Sequence, residues 1–158
     1  MNSELSEKRP QYADGIWLVF VSHAGIDTWV ARRISEKIES CGAKAFLDDA
    51  HISVGEDFED RILRELDEAS ELLVLLTPWS LNRPYVWAEV GAAWGKRTPI
   101  VGVLYGLNPE ELNAQAGVPI LIKRRNLIDI NELDTYFAQL HERACGSAQK
   151  DNSEHNAL

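Results

Sequence analysis

Three short apolar runs limit the folds that this chain can adopt more than any other feature of its sequence. The runs are 16–21, 72–76 and 99–104, and none of them contains a charged residue. A continuous apolar run of this length is typical of a strand buried on both faces, as strands are in a parallel sheet. Shorter segments at 43–47 and 126–128 are predicted to be two further strands. The sequence therefore predicts a sheet of five strands.

Segments with helical periodicity lie between the predicted strands. After the first strand, Asp27 is expected to cap a helix on which Val30, Ile34 and Ile38 recur every four residues. Asn131 is expected to cap the last helix of the chain. This alternation of strands and helices predicts an α/β fold, with a flavodoxin-like five-stranded parallel sheet of order 2-1-3-4-5 and helices on both faces.

Two other segments carry weaker signals. The second helix is expected to begin at Asp57, and residues 119–122 are expected to be extended. The apolar positions expected on the buried faces of the second and last helices are Phe58, Ile62, Leu63, Leu66, Leu133, Tyr136, Phe137 and Leu140.

The chain of 158 residues has the length of one domain with a substantial core. Residues 146–158 are polar and lack periodicity, which is typical of disorder. We therefore expect a flexible N-terminus over residues 1–14, one domain over residues 15–145 and a disordered tail over residues 146–158.

The charge balance limits the partners of the chain. Its net charge of −9 at pH 7 argues against broad binding to nucleic acid or to an anionic membrane.

The first fifteen residues lack the apolar run of a signal peptide, and no apolar stretch approaches the length of a membrane span. Cys41 and Cys145 have neither a metal-ligand nor a Cys-x-x-Cys spacing. We expect a cytoplasmic protein with no nucleic-acid and no membrane partner.

The stretch from Pro78 to Trp94 contains an unusually placed acid. Between residues 84 and 95, Glu89 is the only strongly acidic or basic side chain. Asn82 and Pro84 are expected to begin a helix, which places Glu89 about two turns into a helix that is apolar nearly all round. A buried carboxylate either finds a hydrogen-bonding partner or holds a proton more tightly than usual, and both properties are common at functional sites.

Candidate ligand-binding residues follow the first three predicted strands. Ser22 and His23 follow the first strand, the pair 48–49 follows the second, and Trp79 follows the third. In open parallel sheets, ligands bind outside the carboxyl ends of the strands, at the point where the strand order reverses. These strand ends are expected to face one crevice, which Glu89 can reach from its helix.

Several familiar chemistries do not fit the sequence. No G-x-G-x-x-G follows the first strand, which argues against a tightly held dinucleotide used for hydride transfer. The four histidines have no metal-ligand spacing, so we predict no metal site. A triad of Ser22, His23 and Asp49 is disfavoured because adjacent side chains rarely point at each other. A phosphoacceptor receiver domain places its acidic pair after strand one, whereas here the pair follows strand two.

Five short motifs occur along the chain in a fixed order. They are Phe20-Val-Ser-His-Ala, Phe46-Leu-Asp-Asp, Val54-Gly-Glu, Leu75-Leu-Thr-Pro and the helix that carries Glu89. In this order and spacing the chain resembles the TIR domain (Toll/interleukin-1 receptor domain) in its bacterial form. The resemblance extends from about Trp17 to about Tyr105, and more loosely to Ala144, so we expect no second domain within these residues.

The resemblance implies cleavage of NAD+ at the nicotinamide glycosidic bond, with Glu89 as the catalytic residue. NAD+ is then the substrate, and no separate cofactor is implied. In the family this glutamate commonly ends a Trp-x-x-x-Glu motif, whereas Tyr85 stands at the first position here. The expected substrate-binding residues are Ser22, His23, Phe46, Asp49 and Tyr85. A carboxylate at Glu89 agrees with the chemistry, because it can stabilise the positive charge that develops on the ribose.

The resemblance also implies assembly. The loop over residues 48–56 corresponds to the BB loop, which packs against neighbouring TIR domains in the family. The active site is then completed by a second protomer, so that formation of a homo-oligomer or filament activates the enzyme. The implied products are nicotinamide and ADP-ribose or a cyclic ADP-ribose signal, in bacterial antiviral defence with a separate effector or sensor protein.

Alternative interpretations remain at this point. The chain could be a non-enzymatic TIR adaptor or virulence mimic that docks on other TIR domains, because fold alone does not decide function. A nucleoside deoxyribosyltransferase-like enzyme has a related fold and also uses a glutamate. Glu89 could be a structural acid bonded to backbone amides. The tryptophans Trp79, Trp87 and Trp94 are interpreted mainly as core residues.

Overall fold

The computed structural model describes residues 15–47, 58–125 and 127–154. Strands and helices alternate along these residues, as the sequence predicts. The strands are β1 (Leu18–Ser22), β2 (Lys44–Leu47), β3 (Glu71–Leu76), β4 (Ile100–Leu104) and β5 (Ile128–Asp129). The helices are α1 (Thr28–Ser40), α2 (Phe58–Glu68), α3 (Pro84–Gly95), α4 (Pro109–Ala114), α5 (Ile120–Lys123) and α6 (Leu133–Glu154), with short 3-10 turns at Gly25–Asp27, Ser80–Asn82 and Ile130–Glu132.

The five strands form one parallel sheet in the order β2-β1-β3-β4-β5, which confirms the predicted topology. β1 lies at the point where the strand order reverses. In the register of β1 with β3, Ser22 lies opposite Val74. β3 therefore continues two residues beyond the end of β1, to Leu76.

Both faces of the sheet are covered by helices. Every residue of β3 is buried, and alternate residues of this strand enter different cores. Leu72, Val74 and Leu76 join the core that includes Val86 and Val90 of α3. The opposite core contains residues of α1 and α6, which explains why the strand is apolar from Leu72 to Leu76. Phe20 belongs to the α3 core, and Ser22, two residues later, points to the same face of the sheet.

The helix starts differ from the predictions in their caps. Asp27 occupies the N-cap position of α1, but its side chain makes no capping hydrogen bond. Pro84 is the first residue of α3, as predicted, whereas the N-cap position belongs to Arg83 and not to Asn82. The prediction that Asn131 caps the last helix is also wrong. Asp129 accepts a hydrogen bond from the backbone N–H of Asn131 and caps the 3-10 turn that precedes α6.

The segment before the fifth strand is helical and not extended. Residues 120–123 form α5, with backbone hydrogen bonds that return to the carbonyls of Pro119 and Ile120. Ile122 is fully buried against the α3 core, so the turn is held by packing of its apolar side chain. β5 begins at Ile128, later than the predicted strand, and Asn126 lies outside the described residues.

α3 is buried on one face only, which corrects the expectation of burial all round. Val86, Glu89, Val90 and Ala93 are buried, and they recur at helical spacing. The side chain of Trp94 is 60% exposed and that of Trp79 is 49% exposed, so neither is a core residue. Trp87 is half-buried against the α3 core. On α2, Leu66 is buried as predicted, but Leu63 is 43% exposed.

The last helix extends further than the sequence indicates. α6 continues to Glu154, past the point near residue 145 where order is predicted to end. Residues 1–14 and 155–158 lie outside the described part of the chain, and the domain boundaries stay predictions. Among the described helices, none combines the length and apolar character needed to cross a membrane.

A buried polar cluster lies where β3 begins, at the amino edge of the sheet. Glu71 is 2% exposed, and one of its carboxylate oxygens accepts a hydrogen bond from the hydroxyl of Tyr136. Arg143 Nη2 lies 3.2 Å from the other oxygen, and its guanidinium lies 5.8 Å from the centre of the Tyr136 ring. Burial and the adjacent Glu71 carboxylate raise the pKa of Tyr136 far above its usual value.

This cluster makes stability depend on pH in alkaline solution. The unfolded chain loses the Tyr136 proton near pH 10, while the folded chain retains it. The contribution of Tyr136 is therefore complete below pH 10 and falls by up to about 1.4 kcal/mol per pH unit above it. Urea unfolding of wild type and Tyr136→Phe between pH 8 and pH 11 checks this. A shallower alkaline decline is expected for Tyr136→Phe, and parallel declines would contradict the prediction.

The end of α3 is a Schellman motif with an unusual residue at its centre. The N–H of Thr98 donates to the carbonyl of Ala93, and the N–H of Arg97 donates to that of Trp94. Arg97 has a φ of 59°, a left-handed conformation that glycine usually occupies. We expect Arg97→Gly to raise the free energy of unfolding by about 0.5–1 kcal/mol, measured by urea denaturation. Arg97→Ala, which keeps the Cβ, should produce no such gain.

Candidate active site

The predicted catalytic residue lies in the interior of the protein. Glu89 is on the buried face of α3 and is only 1% exposed. α3 follows β3 through the turn at residues 77–83, so the helix packs against the face of the sheet to which Phe20 and Ser22 point. A carboxylate in such an environment interacts more strongly with nearby charges than it does in water.

Ser22 and Glu89 are joined directly. The hydroxyl of Ser22 donates a hydrogen bond to Glu89 Oε2, although the two residues are 67 positions apart in the chain. Ser22 is the last residue of β1 and is fully buried. The bond joins the carboxyl end of β1 to α3, and it orients one oxygen of the carboxylate. The structure thus brings these two candidate site residues into direct contact.

His23 is also buried, at 4% exposure, in the turn between β1 and α1. Its Nδ1 lies 3.3 Å from the carbonyl oxygen of Val21, and its Nε2 lies 3.2 Å from Oγ1 of Thr28. The Thr28 hydroxyl also donates to the carbonyl of Gly25 at 2.7 Å. These contacts hold the ring against its own turn.

The aromatic candidates lie on the α3 side of the sheet. Phe46, near the end of β2, is half-buried, and its ring centre lies 5.2 Å from that of Phe20. Tyr85 is half-buried and packs against the same core, one helical turn before Glu89. The indole N–H of Trp87 donates to the carbonyl of Leu81 at 3.1 Å, which gives this ring a structural role.

One predicted substrate-binding residue cannot be placed. Asp49 lies outside the described residues, as does the whole of the predicted loop over residues 48–56. Within the described part of the chain, no three or more His, Cys, Asp or Glu side chains are grouped so that they could hold a metal ion.

A second buried polar network beside the site was not predicted. The hydroxyl of Thr77 donates to Oδ2 of Asp27 at 2.6 Å, between residues 50 positions apart. The N–H of Thr77 donates to the hydroxyl of Ser80 at 2.8 Å, and the N–H of Ser80 donates back to Oγ1 of Thr77 at 3.1 Å. The sequence signal for this network is Thr77, a polar residue directly after the apolar run at 72–76.

The open parallel sheet of order 2-1-3-4-5 is the architecture of a flavodoxin-like domain. The buried Glu89 contacts Ser22 at the carboxyl end of β1, where the strand order reverses. A profile of the TIR domain family matches residues 19–144, which is most of the chain. The protein therefore belongs to the TIR domain family.

The chain is 27% identical over 96 residues to a Brachypodium distachyon protein named probable 2′ cyclic ADP-D-ribose synthase BdTIR. The match covers 60% of this chain and 43% of that protein, so the chain spans less than half of the relative. That name describes the relative, and its activity is not transferred to this chain on this identity and coverage.

Solved structures share the fold. The TIR domain of the Toll-related receptor TRR-2 from Hydra magnipapillata has a TM-score of 0.56 at 19% identity, covering 75% of this chain and 87% of that one. A metazoan TIR-STING receptor from C. gigas, in complex with 2′,3′-cGAMP, has a TM-score of 0.61 at 19% identity, covering 78% and 38%. At these identities the likeness establishes the fold alone.

Proposed function

We propose that this protein cleaves NAD+ at the nicotinamide glycosidic bond, with Glu89 as the catalytic carboxylate. The observation that carries the proposal is the buried Glu89 side chain, which accepts a hydrogen bond from Ser22 at the carboxyl edge of the sheet. The name of the Brachypodium distachyon relative, a probable cyclic ADP-ribose synthase, supports the same reaction.

The reaction begins with NAD+ bound so that the nicotinamide ribose faces Glu89. The bond between C1′ and the pyridinium nitrogen breaks, and its electron pair leaves with neutral nicotinamide. The ribose is left with oxocarbenium-like positive charge, which a carboxylate in a water-poor pocket stabilises. Attack by water on C1′ gives ADP-ribose and releases one proton, whereas attack by a group of the same molecule gives a cyclic product. No cofactor is consumed, because the pyridinium is already a good leaving group.

The proposed binding residues have distinct roles in this scheme. Ser22 orients the carboxylate, and His23 forms the adjacent wall of the pocket. Phe46 and Tyr85 provide aromatic surface against which a nicotinamide or adenine ring can stack. Asp49, which lies outside the described residues, is proposed from the resemblance alone.

The serine role gives a direct prediction. Ser22→Ala removes the hydroxyl that orients Glu89, and we expect kcat for nicotinamide release to fall by about 10-fold because the carboxylate is less well positioned. Steady-state kinetics with NAD+ checks this. Ser35→Ala is the matched control and should leave kcat unchanged, since the hydroxyl of Ser35 donates to the carbonyl of Ala31 within α1. Equal rates for Ser22→Ala and wild type would contradict the role.

Assembly is part of the proposal. We propose that protomers associate, that a neighbouring protomer completes the NAD+ site, and that a separate effector or sensor protein acts with the enzyme in antiviral defence. Nicotinamide release per protomer is then expected to rise with protein concentration. A rate per protomer that is constant over a 100-fold concentration range would contradict activation by self-assembly.

Product analysis tests the reaction class. The purified chain is incubated at high concentration with NAD+, and in parallel with deoxynucleosides and a free base, and the products are separated by liquid chromatography. Nicotinamide together with ADP-ribose or a cyclic ADP-ribose supports the proposal. Transfer of deoxyribose between bases, with NAD+ left intact, would overturn it in favour of a deoxyribosyltransferase.

A further inference from the structure

Two segments that carry the candidate site are joined by a buried hydrogen bond outside the site itself. The turn between β1 and α1 carries His23 and ends at Asp27. The turn between β3 and α3 begins at Thr77 and leads to the helix that carries Glu89. The hydroxyl of Thr77 donates to Asp27 Oδ2 at 2.6 Å, and both residues are buried.

The local geometry shows that this bond is not a helix cap. Asp27 stands at the N-cap of α1, where an aspartate normally accepts a hydrogen bond from a backbone N–H of the first turn. Here its side chain makes no such bond, and its carboxylate bonds to Thr77 in the neighbouring strand's turn. The start of α1 therefore has no side-chain cap from Asp27. The Asp27 carboxylate instead forms a charge-assisted hydrogen bond that connects the β1–α1 turn to the β3–α3 turn.

Thr77 is itself held on two sides. Its N–H donates to the hydroxyl of Ser80, and its Oγ1 accepts from the N–H of Ser80, which fixes the turn that begins the path to α3. On the other side, Asp27 is followed by Thr28, whose hydroxyl lies 3.2 Å from Nε2 of His23. A shift of Asp27 therefore moves the partner of the His23 ring.

We propose that the Asp27–Thr77 hydrogen bond positions the His23 turn relative to Glu89 for cleavage of NAD+, an inference that rests on the proposed function. Asp27 and Thr77 are positioning residues, because they act through His23 and α3 and do not contact the substrate. Together with the Ser22–Glu89 bond, the Asp27–Thr77 bond connects the β1–α1 turn to the β3–α3 segment at two points.

The test compares two variants, each of which removes a hydroxyl group that donates a hydrogen bond to a buried carboxylate. Thr77→Val removes the donor to Asp27 beside the site. Tyr136→Phe removes the donor to Glu71 at the opposite edge of the sheet. Both should lower the urea midpoint, but only Thr77→Val should lower kcat for nicotinamide release, by about 10-fold with KM changed less than twofold. Thr77→Ser, which restores a hydroxyl, should recover most of kcat.

A measurement that does not depend on catalysis, NMR of the His23 imidazole, separates this inference from the proposed function. The imidazole ¹⁵N and ¹H resonances of His23 are expected to shift in Thr77→Val and to stay unchanged in Tyr136→Phe, whether or not the chain cleaves NAD+. If Thr77→Val does not fold, Asp27→Ala, which removes the acceptor of the Thr77 hydrogen bond, should shift the same resonances. Unchanged His23 resonances, or equal losses of kcat in Thr77→Val and Tyr136→Phe, would overturn the proposal. An inactive wild type with shifted resonances would refute the proposed function and leave the positioning of His23 intact.

Discussion

Glu89→Gln is expected to lower kcat for nicotinamide release by about 10²–10³-fold, the loss typical when one electrostatic stabiliser of a transition state is removed. Glutamine has the shape of glutamate, and its carbonyl oxygen can still accept the hydrogen bond from Ser22. It lacks the negative charge that balances the developing positive charge on the ribose. Steady-state kinetics with NAD+, together with circular dichroism to confirm the fold, measures this effect.

A second buried glutamate provides the control. Glu71 is as buried as Glu89 and also accepts a hydrogen bond from a hydroxyl, that of Tyr136. It lies at the amino edge of the sheet, at the opposite end of β3 from the candidate site. Glu71→Gln should therefore lower stability and leave kcat of the folded protein unchanged. An equal loss of kcat in the two variants would contradict a catalytic role for Glu89.

Arg143→Met is expected to have the largest effect on stability, with a loss of about 3 kcal/mol in the free energy of unfolding. Arg143 Nη2 approaches both carboxylate oxygens of Glu71, at 3.2 and 3.4 Å. Its guanidinium also lies 6.0 Å from the centre of the Trp17 ring. Removing it leaves a buried carboxylate with the hydroxyl of Tyr136 as its remaining partner in this cluster. Urea denaturation at pH 7 measures the loss.

An exposed arginine is the matched control for this prediction. Arg33 pairs with Glu36 at 2.8 Å on α1, and both side chains are more than half exposed. Because water screens such a pair, Arg33→Met should change the free energy of unfolding by no more than about 0.5 kcal/mol. Equal losses of unfolding free energy in Arg143→Met and Arg33→Met would contradict the prediction that a buried carboxylate depends more on its ion-pair partner than an exposed one does.

The sequence predicts best those features that depend on local composition. β1 and β3 follow from apolar runs, because the middle of a strand that is buried on both faces is mostly apolar. The buried polar residues of these strands, Ser22 and Glu71, stand at their ends. Glu89 stands out because it is the one charged residue in an apolar helix. The segment at 119–122 was predicted wrongly, since isoleucine and leucine favour strands as well as buried helices and the structure places Ile122 in the core.

Features that depend on distant partners could not be predicted. Asp27 has the local sequence of a helix cap, but its carboxylate bonds to Thr77, 50 residues further along the chain. The bond between Ser22 and Glu89 spans 67 residues and depends on which face of the sheet α3 covers. The exposure of Trp94 likewise follows from the rotation of α3 about its axis, which its mostly apolar sequence does not specify.

Time-resolved ¹H NMR of NAD+ mixed with the wild-type chain tests the central claim most directly. Spectra are recorded at increasing protein concentration, with the Glu89→Gln protein as a parallel sample. The account predicts that free nicotinamide signals grow in step with the loss of NAD+, and that the Glu89→Gln sample stays nearly unchanged. NAD+ that remains intact with wild type at every concentration would contradict the account and favour a TIR domain that acts by docking alone.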